Sequence, residues 1–187
     1  DGVARFFRAY FYFEKVKRFG EVPWFDTPLT STDDRLYQGR TDRNTLLDNM
    51  LADIDYAAQH LPSATNAYKI TKWTALAMKS RMALFEGTFR KYHGIAGYER
   101  YLQLAADAAK DFMDNSPYTI YKEGNTPYMN LFASKNAIKS EVIMALNYNI
   151  GLNIVHDLNR FFTSDGAKPG LNKKIVDSYL MYDGTRF

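Results

Sequence analysis

The chain has no cysteine in its 187 residues. That absence excludes structural disulfides, thiolate metal sites and cysteine nucleophiles together, and leaves the compartment open. An excess of charge is also missing. The formal net charge is +3, with no Lys/Arg-rich run and no recognisable nucleic-acid module, so no nucleic-acid partner is expected. No apolar run approaches the ~18 residues that would cross a membrane as a helix. Histidine occurs three times, never as HExxH, and neither Gly-x-Ser-x-Gly nor a glycine-rich phosphate cradle occurs. Those patterns carry zinc, nucleophile and phosphate chemistry. The reading is therefore of no catalytic residues, no metal ligands and no cofactor.

What remains is a core-forming composition: 46% hydrophobic, 16% aromatic and 24% charged, as in globular rather than disordered chains. A first helix is expected over 3–19, with aromatics at 6, 7, 10, 11, 12, 13 and 19 on every side. A helix apolar all round is buried against several neighbours. Arg5, Arg8, Lys15 and Arg18 stand at spacings of three and seven, which places them on one basic, wet edge. Gly20 suits the left-handed position that ends a helix, and Pro23 follows. Residues 20–40 read as a loop.

A second helix starts at Thr41 as N-cap, with Asp42 in the first turn, where a negative charge suits the helix dipole. Leu46, Leu47, Met50, Leu51, Ile54, Ala57, Ala58 and Leu61 give it one apolar stripe. A third helix, 70–92, has two apolar faces. Trp73, Ala77 and Leu84 lie on one, and Met78, Met82, Phe85 and Phe89 on the other; such a helix is sandwiched between layers. A fourth, 98–114, carries Tyr101, Leu104, Ala105, Ala108, Ala109 and Phe112, its alanines allowing close approach. Antiparallel pairs with small residues at the contacts predict tetratricopeptide-like stacking. Beyond Pro117, residues 118–121 are a short β-prone run and 141–149 a stronger strand candidate, followed by a loop over 150–170 and a short helix over 172–181. The fold class is mainly α, with a small β element and loops toward the C-terminal end.

The carboxylates do not pair for acid–base work. Asp53 and Asp55 point about 200° apart on the second helix, and Asp48 and Asp55 are separated by about 10 Å along it. All three read as a solvated helix surface. His60 and His93 stand where C-terminal capping favours cations. His156-Asp157 lacks the spaced partners of a metal site. The aromatics inside helices belong to the core. Those in loops are Trp24, Phe25, Tyr37, Tyr128, Tyr148, Phe161 and Phe162. One loop joins aromatic faces to planar hydrogen-bonding groups: Asn147, Tyr148, Asn149, Asp157, Asn159, Arg160, Phe161 and Phe162. Aromatic planes take the C–H faces of sugars, and amides, carboxylates and guanidinium groups take the hydroxyls. The alternative is that Phe161-Phe162 tucks the loop onto a sheet.

Four segments in register resemble one family. They are the aromatic helix running into Lys17-Arg18-Phe19-Gly20-Glu21-Val22-Pro23; Gly39-Arg40-Thr41-Asp42-Arg43-Asn44, opening a helix that closes at His60-Leu61-Pro62; the run from Ile70-Thr71-Lys72-Trp73 to Leu84-Phe85-Glu86-Gly87; and Lys168-Pro169-Gly170 followed by Ile175-Val176-Asp177-Ser178-Tyr179 and Asp183-Gly184. Together they resemble the middle portion of the SusD/RagB outer-membrane nutrient-binding proteins. The resemblance implies a SusD-like helical superhelix and a non-catalytic glycan-binding component of a cell-surface uptake system. It also implies an oligosaccharide ligand, a SusC-type TonB-dependent transporter as partner, and a surface-exposed outer-membrane location through an N-terminal lipid anchor. The family's ligand residues vary, so none is carried over. We expect residues 1–187 to be one helical repeat-like domain, excerpted from a longer chain whose anchor and C-terminal portion lie elsewhere. Two rivals are a repeat-type protein–protein scaffold without small ligand and a glycan hydrolase, which needs two carboxylates facing each other across a cleft.

Overall fold

The computed structural model describes residues 1–163 and 170–186. The chain divides into two compact units, residues 1–146 and 147–187. The first holds α1 (Gly2–Phe19), α2 (Arg43–His60), α3 (Lys72–Tyr92), α4 (Tyr98–Asn115) and the short α5 (Pro127–Ala133). Consecutive helices pack on each other, α1 on α2, α2 on α3 and α3 on α4, as the helical periodicity predicts.

Local chemistry sets the helix ends. Gly20 leaves α1 at φ 71° and ψ −125°, its N–H donating to the Val16 carbonyl at 3.0 Å. This lies outside the left-handed helical region expected, but its positive φ still favours glycine. The N-cap of α2 is Asp42, whose carboxylate accepts from the Thr45 N–H at 3.1 Å, not Thr41. Thr41 is occupied elsewhere: its hydroxyl accepts from the Trp24 N–H at 3.0 Å and its own N–H donates to the Val22 carbonyl at 3.2 Å. It thereby ties the Val22-Pro23-Trp24 exit of α1 to the head of α2. Thr71 and Thr74 form a reciprocal capping box on α3, which satisfies donors that a helix start leaves open. His60 and His93 donate through Nδ1 to the carbonyls of Tyr56 (2.8 Å) and Phe89 (2.7 Å), in the helix-end positions the sequence predicts.

The core unites Phe6, Ala9, Phe13 and Val16 with the predicted α2 stripe of Leu46, Met50, Ile54 and Ala57, then Met78 and Met82 of α3 and Tyr101 of α4. Trp73 and Phe85 serve opposite sides of α3, as expected. Trp73 meets Phe112 of α4 edge-on at 6.1 Å, and Phe85 meets Phe13 of α1 at 5.5 Å. At Gly87 a Cβ would lie 2.7 Å from the Leu102 side chain and 3.0 Å from its backbone nitrogen, so only glycine admits α4 there.

Several expectations are corrected. The outer side of α1 is open, with Phe7 50% and Phe11 56% exposed, and Leu84 of α3 is 51% exposed. Asp53 is not solvated. It is 3% exposed and accepts from Arg8 Nε and Nη2, both at 2.6 Å, with Arg5 at 3.8 Å. Arg5 and Arg8 therefore clamp α1 to α2 instead of forming a wet edge, and the hydrogen bonds to Asp53 push the Arg8 pKa up. Asp48 and Asp55 lie at the surface, yet each bridges helices, to Arg100 (2.7 Å) and Lys79 (2.6 Å). The runs 118–121 and 141–149 form no strands. Thr119 N–H donates to the Ser140 carbonyl (2.8 Å), and Ala145 N–H to the Ala67 carbonyl (2.6 Å) in the α2–α3 connection. Each segment thus satisfies its backbone singly, without a partner in ladder register. Among the described residues, β pairing is confined to the bridges Asn149–Ile154 and Leu180–Arg186. The expected 172–181 helix is one turn, α7 (Lys173–Val176), and the expected 150–170 loop holds a 3₁₀ turn (Ile150–Leu152) and α6 (Leu158–Phe162). Lys168 and Pro169 lie outside the described residues.

A buried ion network, unread in the sequence, joins three parts of the first unit. Glu86 of α3 is fully buried. Its carboxylate accepts from Arg43 of α2 (2.8 and 2.6 Å) and from Arg90 one turn on (2.7 Å). Arg90 also donates to the Asn44 side chain (2.8 Å) and the Ala96 carbonyl (3.1 Å). The head of α2, the middle of α3 and the α3–α4 turn meet at that one carboxylate.

Two stability predictions follow from these contacts. Trp73 is 5% exposed and its Nε1–H donates to the Ser63 carbonyl at 2.6 Å. Trp73→Ala should cost ~3–5 kcal/mol, read as a large fall in denaturation midpoint; a midpoint close to that of the parent would show the ring is not a core element. Glu86→Ala strands two arginines around a buried void. It should also cost ~3–5 kcal/mol, checked by urea unfolding.

Candidate functional site

The loop singled out by its residue types lies wholly in the second unit, residues 147–187. A tight hairpin builds it. Asn149 N–H donates to the Ile154 carbonyl (2.8 Å), and Ile154 N–H to the Asn149 carbonyl (3.0 Å). Asn153 closes the turn at φ 54°, a left-handed value that asparagine tolerates better than most residues. Just outside this bridge the rings of Tyr148 and His156 meet edge-to-face at 4.9 Å. The hairpin thus brings Tyr148 beside His156. Spacing makes His156 only a weak metal candidate, and its part in holding Tyr148 depends on a contact that spacing does not reveal. Its Nδ1 also accepts from the Leu158 N–H at 3.2 Å, at the start of α6.

Arg160, Phe161 and Phe162 ride on α6, whose first turn is closed by the Arg160 N–H to the Asp157 carbonyl (3.0 Å). Tyr148, Phe161 and Phe162 are exposed, as are Asn147, Asn149, Asp157 and Arg160. The side chain of Asn159 lies outside the described residues. Among the described residues no sheet forms beneath Phe161-Phe162. Successive residues of a helix point about 100° apart, so Arg160, Phe161 and Phe162 face different directions around α6. The loop offers two open aromatic groups, one at the hairpin and one on α6, each beside polar side chains. Among the described residues no cluster of three His, Cys, Asp or Glu has metal-holding geometry.

The other loop aromatics divide. Trp24 packs on Tyr12 at 4.3 Å, and Phe25 donates its N–H to the Tyr12 hydroxyl at 2.7 Å; both serve the fold. Tyr37 is 88% exposed, and Tyr128 pairs with Phe132 at 5.0 Å on the outside of α5. The first unit also has a mainly apolar groove of about 710 Å³, walled by Phe112, Met113, Tyr118, Ile120 and Ile143 with Lys122 and Glu141 at its polar side.

Residues 1–84 match the model of a SusD-like family described as starch-binding and associating with the outer membrane. SusD-like protein P25 of Formosa agariphila is 26% identical over 147 residues, covering 77% of this chain and 24% of that protein. Across this stretch the chain resembles SusD-like proteins. A second SusD-like protein of that organism, P2, is 29% identical over 89 residues, 47% of this chain and 18% of its own length. A SusD-like protein of Bacteroides fragilis, solved as a crystal structure, superimposes with a TM-score of 0.70 over 99% of this chain and 36% of its own, at 24% identity. A protein crystallised with a xylogluco-oligosaccharide superimposes at 0.60 over 79% of this chain and 29% of its own, at 22% identity. The chain spans about a quarter of the length of P25. The matched stretch 1–84 covers α1, α2 and half of α3. The 147–162 loop falls beyond it.

Because Arg160 and Phe161 are exposed in the second unit, Arg160→Ala and Phe161→Ala should each stay within ~0.5 kcal/mol of the parent in stability. Denaturant unfolding of the two variants checks this.

Proposed function

We propose that this SusD-like chain belongs to a non-catalytic, surface-exposed glycan-binding component of a nutrient uptake system. It takes up an oligosaccharide and passes it to a SusC-type TonB-dependent outer-membrane transporter, with a lipid anchor holding the whole protein at the membrane. The observation that carries the reading is the match of residues 1–84 to a family described as starch-binding and outer-membrane-associated. The fold likeness to a protein crystallised with a xylogluco-oligosaccharide supports it.

Within these residues, sugar contacts come from the loop of the second unit. Tyr148, Phe161 and Phe162 supply open aromatic faces. Asn147, Asn149, Asp157, Asn159 and Arg160 supply planar groups that hydrogen-bond vicinal hydroxyls. Each such bond replaces one to water and nets only ~0.5–1.5 kcal/mol. Affinity should therefore fall in the micromolar-to-millimolar range, about −8 to −4 kcal/mol.

Isothermal titration of the whole protein against its oligosaccharide, parent beside Arg160→Ala and Phe161→Ala, tests the loop. Weakened binding by folded variants is expected; unchanged binding by both assigns the glycan site elsewhere in the protein. Incubation of the whole protein with a polysaccharide panel should release no reducing ends. Release abolished by changing a single carboxylate would make the protein a hydrolase.

A further inference from the structure

One imidazole, that of His156, serves two elements of the second unit. Its Nδ1 accepts from the Leu158 N–H at 3.2 Å, and its ring meets Tyr148 edge-to-face at 4.9 Å. The first contact serves α6 where a helix is weakest. The opening N–H groups of a helix have no partner within it, and an N-cap side chain ordinarily supplies one. Asp157 stands at the N-cap of α6 and makes no such bond, so the preceding imidazole does so at Leu158. The second contact fixes an aromatic on the facing hairpin arm, which the Asn149–Ile154 bridge aligns. A rigid ring cannot turn for one partner and stay for the other, so both contacts need the same ring orientation. That orientation depends on one lone pair. A neutral imidazole with its proton on Nε2 accepts at Nδ1. An imidazolium donates from both nitrogens and would meet the Leu158 N–H donor to donor.

We propose that His156 is a pH-sensitive positioning residue that joins Tyr148 to α6, so that its protonation releases both aromatic groups of the loop and weakens oligosaccharide binding there. The effect on sugar rests on the glycan reading above; the joint itself rests on the two contacts. Histidine is the side chain whose charge changes between about pH 8 and 5, so the joint is closed at the alkaline end of that range and open at the acid end. Phe161 and Phe162 ride on α6, and loosening its first turn frees them together with Tyr148. The titratable and charged groups on the two elements that meet the ring are Tyr148 on the hairpin, and Asp157 and Arg160 at the head of α6. They remain when His156 is replaced, so variants at this position separate its titration from theirs.

The test uses the whole protein. With 4-fluorophenylalanine in place of Phe161, a single fluorine resonance reports on α6. Between about pH 8 and 5 it should move in one step in the parent. His156→Asn keeps an acceptor oxygen near the Nδ1 position and should hold the resonance at its alkaline place throughout. His156→Phe keeps a ring without an acceptor and should show the released place even at the alkaline end, where no charge has changed. In unlabelled protein, calorimetric titration with a xylogluco-oligosaccharide should show binding about two- to tenfold weaker at the acid end in the parent, the worth of one hydrogen bond, and no change with pH in either variant. A resonance that ignores pH, or that titrates equally in His156→Phe, would overturn the joint, as would parent binding that stays level across the range. The expected fluorine response without sugar binding at any pH would support the joint and count against the glycan reading.

Discussion

The carboxylate of Glu86 is the point on which the helical unit depends. It is fully buried, and its oxygens hold Arg43 from the head of α2 and Arg90 from its own helix. A buried carboxylate without cationic partners is strongly disfavoured, so these helices fit together only when both arginines arrive. Arg43 also lies over the Phe89 ring at 4.2 Å, and Arg90 over Tyr101 at 4.7 Å. The network therefore specifies which residues of neighbouring helices face each other. Its net contribution to stability is a separate matter, because desolvating three charges offsets much of their attraction. Asp53 repeats the arrangement between α1 and α2, with Arg8 as bidentate partner.

Close backbone approach complements these polar fixings. Gly87, one residue beyond Glu86, leaves the space that Leu102 occupies. Ser80 Oγ donates to the Ala105 carbonyl at 2.9 Å. The α3–α4 pair is thus set by a missing side chain, a hydroxyl and buried alanines, while α1 and α2 meet through large apolar groups and an ion pair. The polar loop considered for ligand contact stands on different footing. It belongs to the second unit, where a hairpin bridge and one ring contact order it locally. Exposed aromatics on such loops are available to a ligand because no core claims them.

Periodicity in the sequence determined much of this protein. The apolar stripe of α2 and the two-sided α3 appear where helical spacing places them, since burying a stripe is what makes an amphipathic helix stable. The family-like segments before residue 84 likewise lie in the sequence itself, and their reading agrees with the family match over residues 1–84. Tertiary structure decided the rest. Asp53 and Glu86 look like surface acids in sequence, because burial of a charge depends on cations 45 and 43 residues away. Residues 141–149 have strand-forming side chains but no neighbouring strand in register, and a strand cannot satisfy its backbone alone. Whether Phe7 and Phe11 are core or surface depends on a neighbour, and a helix's own pattern says which faces are apolar without saying what covers them.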